Sequence, residues 1–255
     1  MADDHSKYAE EGYYIEPDPV TPTHILARAQ SGMEAVRAGI FDTTKGSTDH
    51  PGYDPTRLCK INNCHPSDPG LYGLVTCSEL GSRVAQITGS RFIQVWASQL
   101  LIKPHGSQDA GQVGWHQDRQ YWQYWQQAEG LFTVWIALSE VGISSGPMQF
   151  VTGSHAWGFK NSGDFFSHEQ DSLRAAIPIP DNESWHEKPA LLSAGGFSVH
   201  HCLTYHGSGA NVSDAPRCSL AVHVRDERSQ PVEGDTSYYT THLDDQQICP
   251  MMYES

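Results

Sequence analysis

The sequence predicts an α+β protein, mainly β, with its helices gathered ahead of its strands. Three observations carry this. Helical periodicity is concentrated in the first ninety residues, β-branched and aromatic runs follow from residue 92 onward, and no regular βαβ alternation connects them. The 23 glycines and 15 prolines supply the turns that many short strands need. The expected architecture is an N-terminal helical layer packed on an antiparallel sandwich or barrel.

The elements follow in order. TPTHILARAQSGMEAVRAG (21–39) places Thr21 and Thr23 before an apolar-periodic run of Ile25, Leu26, Ala29, Met33 and Val36, and it ends on glycine, so it predicts a helix. Residues 41–74 are rich in Gly, Asp, Pro and Asn and read as a long loop with short helical turns. SELGSRVAQITG (78–89) reads as a second helix closed by Gly89. FIQVWASQLLIK (92–103), LFTVWIAL (131–138), MQFVTG (148–153), GFSVHHCLTYH (196–206) and RCSLAVHVR (217–225) read as strands. The insert 154–189 reads as loop with one short helix in SHEQDSLRAAI. We treat 1–255 as a single domain, with a helical and loop annex at 1–90, a β core at 91–228 and a C-terminal tail at 229–255.

A formal charge of −14 argues against nucleic acid or an anionic membrane as partner, since both require basic patches. It leans instead toward a neutral or cationic, partly apolar small molecule, and leaves the oligomeric state open. The acidic N-terminus lacks the apolar core of a secretory signal, and the longest apolar run, at 131–138, is strand-sized. Six scattered cysteines do not form a disulfide framework, so the expected setting is the reduced cytoplasm. CKINNCH (59–65) has no second pair to complete a metal knuckle and reads as structural.

The chemistry concentrates in GWHQDRQYWQYW (114–125). Side chains two apart on a strand share a face, so His116 and Asp118 would point into one space. A third partner lies far along the chain in HGSGANVSDAPR (206–217), where a hairpin across the polar turn would set Arg217 near His206. Two histidines and a carboxylate form the facial triad that suits non-haem Fe(II), with positions left for a bidentate 2-oxo acid and for O2. A nearby arginine would grip the far carboxylate of such a co-substrate. His200 shares the parity of His206 and is the alternative third ligand, but the sequence around His206 and its spacing to Arg217 favour His206.

The order His116-Gln117-Asp118, then His206, then Arg217 eleven positions later (217 − 206), resembles the phytanoyl-CoA dioxygenase family of Fe(II)/2-oxoglutarate-dependent oxygenases. The resemblance takes in FTVWIALSEVGISSGPMQFVTGSH (132–155) and the HxSxxN of His206, Ser208 and Asn211, and covers about 90–228. It implies a double-stranded β-helix (jelly roll), with His116, Asp118 and His206 as catalytic iron ligands. It also implies Arg217, helped by Ser208 and Trp135, at 2-oxoglutarate. Ser145 and Thr152 depart from the family's Asn and Pro, and Met148 stands where some relatives have threonine. Retention of Asp118 favours hydroxylation over halogenation, which in relatives goes with a small residue there. The implied reaction oxidises a C–H bond of a small molecule, for instance a biosynthetic intermediate, with release of succinate and CO2. The alternatives are a non-catalytic jelly-roll module that binds metal for sensing, and, less well supported, a zinc hydrolase. Tyr121 and Trp122 are expected to wall the substrate site against an apolar or cationic group. Gln99 and Lys103 share a strand face, expected to be solvated and outward.

Overall fold

The computed structural model describes residues 3–43, 45, 54, 56–106 and 111–255. Eleven strands lie among them: β1 (Tyr13–Glu16), β2 (Cys59–Asn62), β3 (Phe92–Lys103), β4 (Val113–His116), β5 (Leu131–Ala137), β6 (Met148–Val151), β7 (Glu187–Pro189), β8 (Phe197–His201), β9 (His206–Ser208), β10 (Arg217–Arg225) and β11 (Met251–Glu254). The helices are α1 (Asp4–Glu11), α2 (Thr23–Arg37), α3 (Pro69–Val75), α4 (Ser78–Thr88), α5 (Gln170–Ala176) and α6 (Tyr238–Thr241). All strand pairs are antiparallel. They form two open sheets, one of seven strands in the order β1-β8-β5-β10-β3-β11 with β2 also on β3, the other of four in the order β4-β9-β6-β7.

The period-two pattern of the large sheet decides what each face does. On one face Leu100, Ile102, Phe132, Val134, Ile136, Phe197, Val199, Leu220 and Val222 enter one buried cluster with side chains of α2, α3 and α4. In α4 the stripe Leu80, Val84 and Ile87 is fully buried there, and each such side chain contributes about 2 kcal/mol. A Cβ on Gly81 would stand 2.1 Å from the Met252 carbonyl oxygen, so glycine at this position is what lets α4 lie against β11. The opposite face carries Gln99, Lys103, Thr133, Trp135, His200, Arg217 and His223. Except for Lys103, these line one narrow inner cavity.

The strands at 92–103 and 217–225 and the helix in 167–177 fall where the sequence places them. Two expectations are corrected. The run 196–206 is not one strand: β8 ends at His201, the chain turns, and β9 begins at His206 in the other sheet. His206 and Arg217 therefore do not flank a hairpin, because β9 pairs with β4 and β6 while β10 pairs with β3 and β5. Segments outside 91–228 also supply strands: β1 pairs with β8, while β2 and β11 both pair with β3.

The six cysteines are buried and unpaired. No helix among the described residues is long and apolar enough to cross a membrane. His65, at the end of CKINNCH, is a structural bolt. Its Nε2–H donates to the Ile248 carbonyl at 2.8 Å and its Nδ1 accepts from Ser98 Oγ at 2.7 Å, so it ties the loop to β3 and to the C-terminal segment. Burial pushes its pKa down to about 4. Between pH 4 and 6.5 the unfolded chain binds a proton that the folded one refuses, so stability rises with pH across that window and is lost as pH falls through it. The melting temperature of the metal-free protein should drop on acidification from pH 6.5 to 4. His65→Gln, which offers one donor and one acceptor but does not titrate, should remove about one proton from that dependence; an unchanged slope would contradict this role for His65.

Candidate active site

β4 delivers His116 at its last residue, and Asp118 opens a short 3-10 turn. The residue between them, Gln117, keeps an extended backbone (φ −109°, ψ 130°), so the two-residue parity survives past the strand end. The Gln117 side chain points the other way and is held by the carbonyls of Gly158 and Leu203 and by the Lys160 amide. β9 lies beside β4 with His206 directly opposite His116, and the two ring centroids are 4.1 Å apart.

Both histidines have a fixed tautomer. His116 Nδ1 lies 2.8 Å from the Gly114 carbonyl and His206 Nδ1 lies 2.9 Å from the Thr204 carbonyl. A carbonyl only accepts, so Nδ1 carries the proton in each ring and Nε2 presents a lone pair. The two Nε2 atoms each stand 3.7 Å from Asp118 Oδ1. One donor atom from each of the three residues falls within a 4.8 Å cluster, and all three side chains are buried. A metal ion with bonds of about 2.1 Å can span such a set.

The other carboxylate oxygen is occupied by protein. Asp118 Oδ2 accepts from Thr133 Oγ1 at 2.7 Å and from His200 Nε2 at 3.2 Å. His200 thus engages its Nε2 with Asp118, whereas the Nε2 of His206 has no such bond and is the atom that clusters with those of His116 and Asp118. Burial pushes the Asp118 carboxyl up, but His206, His116 and His200 around it hold it well below the usual carboxylate range. Burial, with His116 and His200 adding to it, keeps His206 well below its ordinary value, so its lone pair is free. Thr133→Val keeps the side-chain shape and deletes the bond to Oδ2. Such outer partners are worth about 10–100-fold in metal affinity, so Fe(II) should dissociate correspondingly faster in a chelator-competition assay. Unchanged affinity would remove this role for Thr133.

Beyond the triad lie two buried cations. Lys103 and Arg217 are direct cross-strand partners, and they are 0% and 1% exposed. Lys103 Nζ donates to Ser208 Oγ at 2.7 Å and to the Gly209 carbonyl, and Arg217 Nη1 donates to the Gly146 carbonyl. The guanidinium also lies over the Trp135 ring, 5.1 Å from its centroid. No carboxylate among the described residues forms an ion pair with either cation. Arg217 Nε and Trp135 Nε1 are buried without an acceptor. Burial pushes Arg217 down to about 10, and burial together with Arg217 pushes Lys103 well below the usual lysine range. Unpaired charge and orphaned donors in the interior are costly, and a bound dianion would relieve both. The residues present therefore fit an iron ion and a dicarboxylate. Lys103 does not face outward, as the sequence suggested; its signal was a lone charge closing an otherwise largely apolar strand.

The remaining expected residues are placed as follows. Ser208 and Trp135 line the inner cavity beside Arg217, and Met148 lines it too. Tyr121 and Trp122 border a second, outer cavity of about 190 Å³ that also reaches His116 and Asp118. Trp122 packs edge-on against Trp96, and Tyr121 accepts the Phe165 amide hydrogen at 2.9 Å. Thr133, which holds Asp118, and Phe165 and Lys60, which border the outer cavity, are the residues that motif reasoning missed, while His200 was weighed as a ligand and not as a partner of Asp118. Thr133 was within reach, since it shares a strand face with Trp135.

The model of the phytanoyl-CoA dioxygenase family matches residues 8–219. Among curated proteins, phytanoyl-CoA dioxygenase domain-containing protein 1 of Bos taurus is 28% identical over 164 residues, 63% of this chain and 54% of that protein. This chain thus matches about half the length of that relative. A probable alpha-ketoglutarate-dependent hypophosphite dioxygenase of Stutzerimonas stutzeri is 22% identical over 251 residues, 93% of this chain and 83% of its own length. The crystal structure of SnoK, a non-haem alpha-ketoglutarate-dependent carbocyclase from nogalamycin biosynthesis, superposes with a TM-score of 0.73 at 21% identity, covering 99% of this chain and 97% of SnoK, and so shares the fold. With its family model matched over most of its length, the chain belongs to the phytanoyl-CoA dioxygenase family of non-haem Fe(II)/2-oxoglutarate-dependent oxygenases.

Proposed function

We propose that this protein hydroxylates a C–H bond of a small molecule, with His116, Asp118 and His206 holding Fe(II) and Arg217 holding 2-oxoglutarate. The observation that carries the reading is the pairing of two features: three converging donor atoms, and beside them two buried cations with no carboxylate paired to them. The two sheets around this site are read as a double-stranded β-helix, with 91–228 carrying the chemistry and the flanking segments bracing it.

Each residue has a physical task. The Nε2 lone pairs of His116 and His206 and one oxygen of Asp118 bind the metal, while Thr133 and His200 restrain the second oxygen, so the carboxylate presents one atom. Arg217 and Lys103 neutralise the distal carboxylate of the co-substrate, Ser208 links to Lys103, and Trp135 supports the guanidinium from below. Phe165 and Tyr121 flank the His116 ring at 5.2 and 6.0 Å and keep bulk water from it. Iron and 2-oxoglutarate, once bound, supply the oxidising power: O2 is consumed, the oxo acid becomes succinate and CO2, and one oxygen atom enters the substrate.

Incubation of the iron-loaded enzyme with 2-oxoglutarate and a panel of small molecules, read by succinate release and product mass, tests this. A hit should yield succinate and a product heavier by one oxygen. A product lighter by two hydrogens would replace hydroxylation with desaturation or ring closure. A protein that binds both cofactors yet never consumes 2-oxoglutarate would instead be a non-catalytic binding module.

A further inference from the structure

The outer cavity says what the substrate carries. It ends at His116 and Asp118, so its occupant sits next to the metal ligands. At about 190 Å³ it exceeds the ~150 Å³ apolar cavity that holds one benzene ring, which suits one substituted ring or two fused rings. Trp96, Trp122, Tyr124 and Tyr239 offer ring surface on one wall, with Phe165 and Phe166 contributing more.

The charges in this cavity are one-sided. Among its described lining residues the one acid is Asp118, already committed to the histidines, to Thr133 and, in the proposed function, to iron. The one lysine or arginine is Lys60, carried by β2 on the same strand face as Asn62. Its ammonium stands over the rings of Phe165 and Phe166, at 4.4 and 5.3 Å from their centroids, and forms no ion pair with a carboxylate among the described residues. Burial pushes its pKa down, and the nearby Asp118 opposes that shift only in part. A cationic ligand would meet a positive charge here that has ring contacts but no carboxylate partner, and an anionic one would supply that partner.

His223 adds a directional contact. Thr133 Oγ1 has one hydrogen, which it donates to Asp118, so at 3.0 Å from His223 Nδ1 it accepts. His223 is thereby fixed with its proton on Nδ1 and a lone pair on Nε2. Its ring lines the cavity and stacks on Trp96 at 5.5 Å. Nε2 can accept from a hydroxyl on the ligand, and Asn62, Asn63 and Gln99 can serve its other oxygens.

We infer that the substrate is a carboxylic acid built on one or two apolar rings, its carboxylate paired with Lys60 and a ring hydroxyl directed at His223. This rests on the proposed function for its chemistry but not for its charge preference. It departs from the lean toward a neutral or cationic ligand drawn from the net charge of −14, because it weighs the local groove and not the whole chain.

The test is calorimetric binding of naphthalene-2-carboxylate and of its uncharged isostere naphthalene-2-carboxamide to protein loaded anaerobically with Fe(II) and 2-oxoglutarate. The carboxylate should bind about tenfold or more tightly, the scale of one charge-assisted hydrogen bond. The ratio should fall to about one in Lys60→Met and return in Lys60→Arg, while the iron–2-oxoglutarate charge-transfer band of Lys60→Met stays unchanged. Equal affinity for the two probes, no binding of the carboxylate, or a preference that survives Lys60→Met would overturn the inference. So would loss of the band in Lys60→Met, which would give Lys60 to the co-substrate. Should wild-type protein show no band but retain a Lys60-dependent preference, the iron reading fails and the cavity's selectivity stands.

Discussion

Asp118→Ala is expected to abolish 2-oxoglutarate turnover and to weaken Fe(II) binding by more than about 100-fold. The bound is set by comparison: an outer hydrogen-bond partner of a ligand is worth about 10–100-fold, and Asp118 is itself a ligand in this account. It supplies the single oxygen that stands 3.7 Å from both Nε2 atoms, so its loss leaves only the two imidazoles as ligands. The fold should survive. His116 and His206 are anchored through their Nδ1 atoms to backbone carbonyls and do not depend on the carboxylate for orientation. What remains is the loss of the Thr133 and His200 hydrogen bonds, about 1–3 kcal/mol for each donor left unpaired, offset in part by no longer burying an anion. Iron content after gel filtration, together with a thermal melt, separates the two effects. A variant that retains iron at wild-type affinity would remove Asp118 from the ligand set.

Arg217→Met should do the reverse, weakening 2-oxoglutarate by about 10–100-fold while leaving Fe(II) affinity in its absence unchanged. The guanidinium is buried, supported by the Trp135 face, and carries an Nε with no acceptor, so its unused hydrogen-bonding capacity is what a carboxylate would take up. Charge-assisted hydrogen bonds contribute about 1.5–3 kcal/mol, which sets the range. Methionine fills much of the vacated volume and carries no charge beside Lys103, so the empty variant should not be greatly destabilised. Titrating each cofactor separately into both variants reads the division of labour. Equal loss of both cofactors in both variants would make the assignment wrong.

Much of this site was legible because it is built on strands. Parity alone carries His116 and Asp118 to one side, and the extended Gln117 preserves that parity after β4 ends. Parity on β5 likewise aligns Trp135 with Thr133, and on β10 it aligns Arg217 with His223. Between His200 and His206 it gave the right outcome on a wrong premise: both rings reach Asp118, but not from one continuous strand. There the chain turns out of one sheet into the other, and a period of two says nothing about a change of sheet. Lys103 was misplaced for a related reason. A charge at the end of a strand reads as solvated, and only the register against Arg217 and the covering contacts from Ser208 and Gly209 reveal it as buried. Lys60 and β2 lay in a segment whose Gly, Pro and Asn content hid a four-residue strand, because its pairing with β3 is a tertiary fact. The C-terminal β11 was hidden in the same way.

The central claim is that three side chains and one arginine assemble a single site for iron and 2-oxoglutarate together. Anaerobic addition of Fe(II) and then 2-oxoglutarate to the metal-free protein measures this directly. The account predicts a weak visible charge-transfer band that requires both additions, is absent in Asp118→Ala and needs more 2-oxoglutarate in Arg217→Met. A correctly folded protein that gives no band, or gives the same band in all three forms, would contradict it.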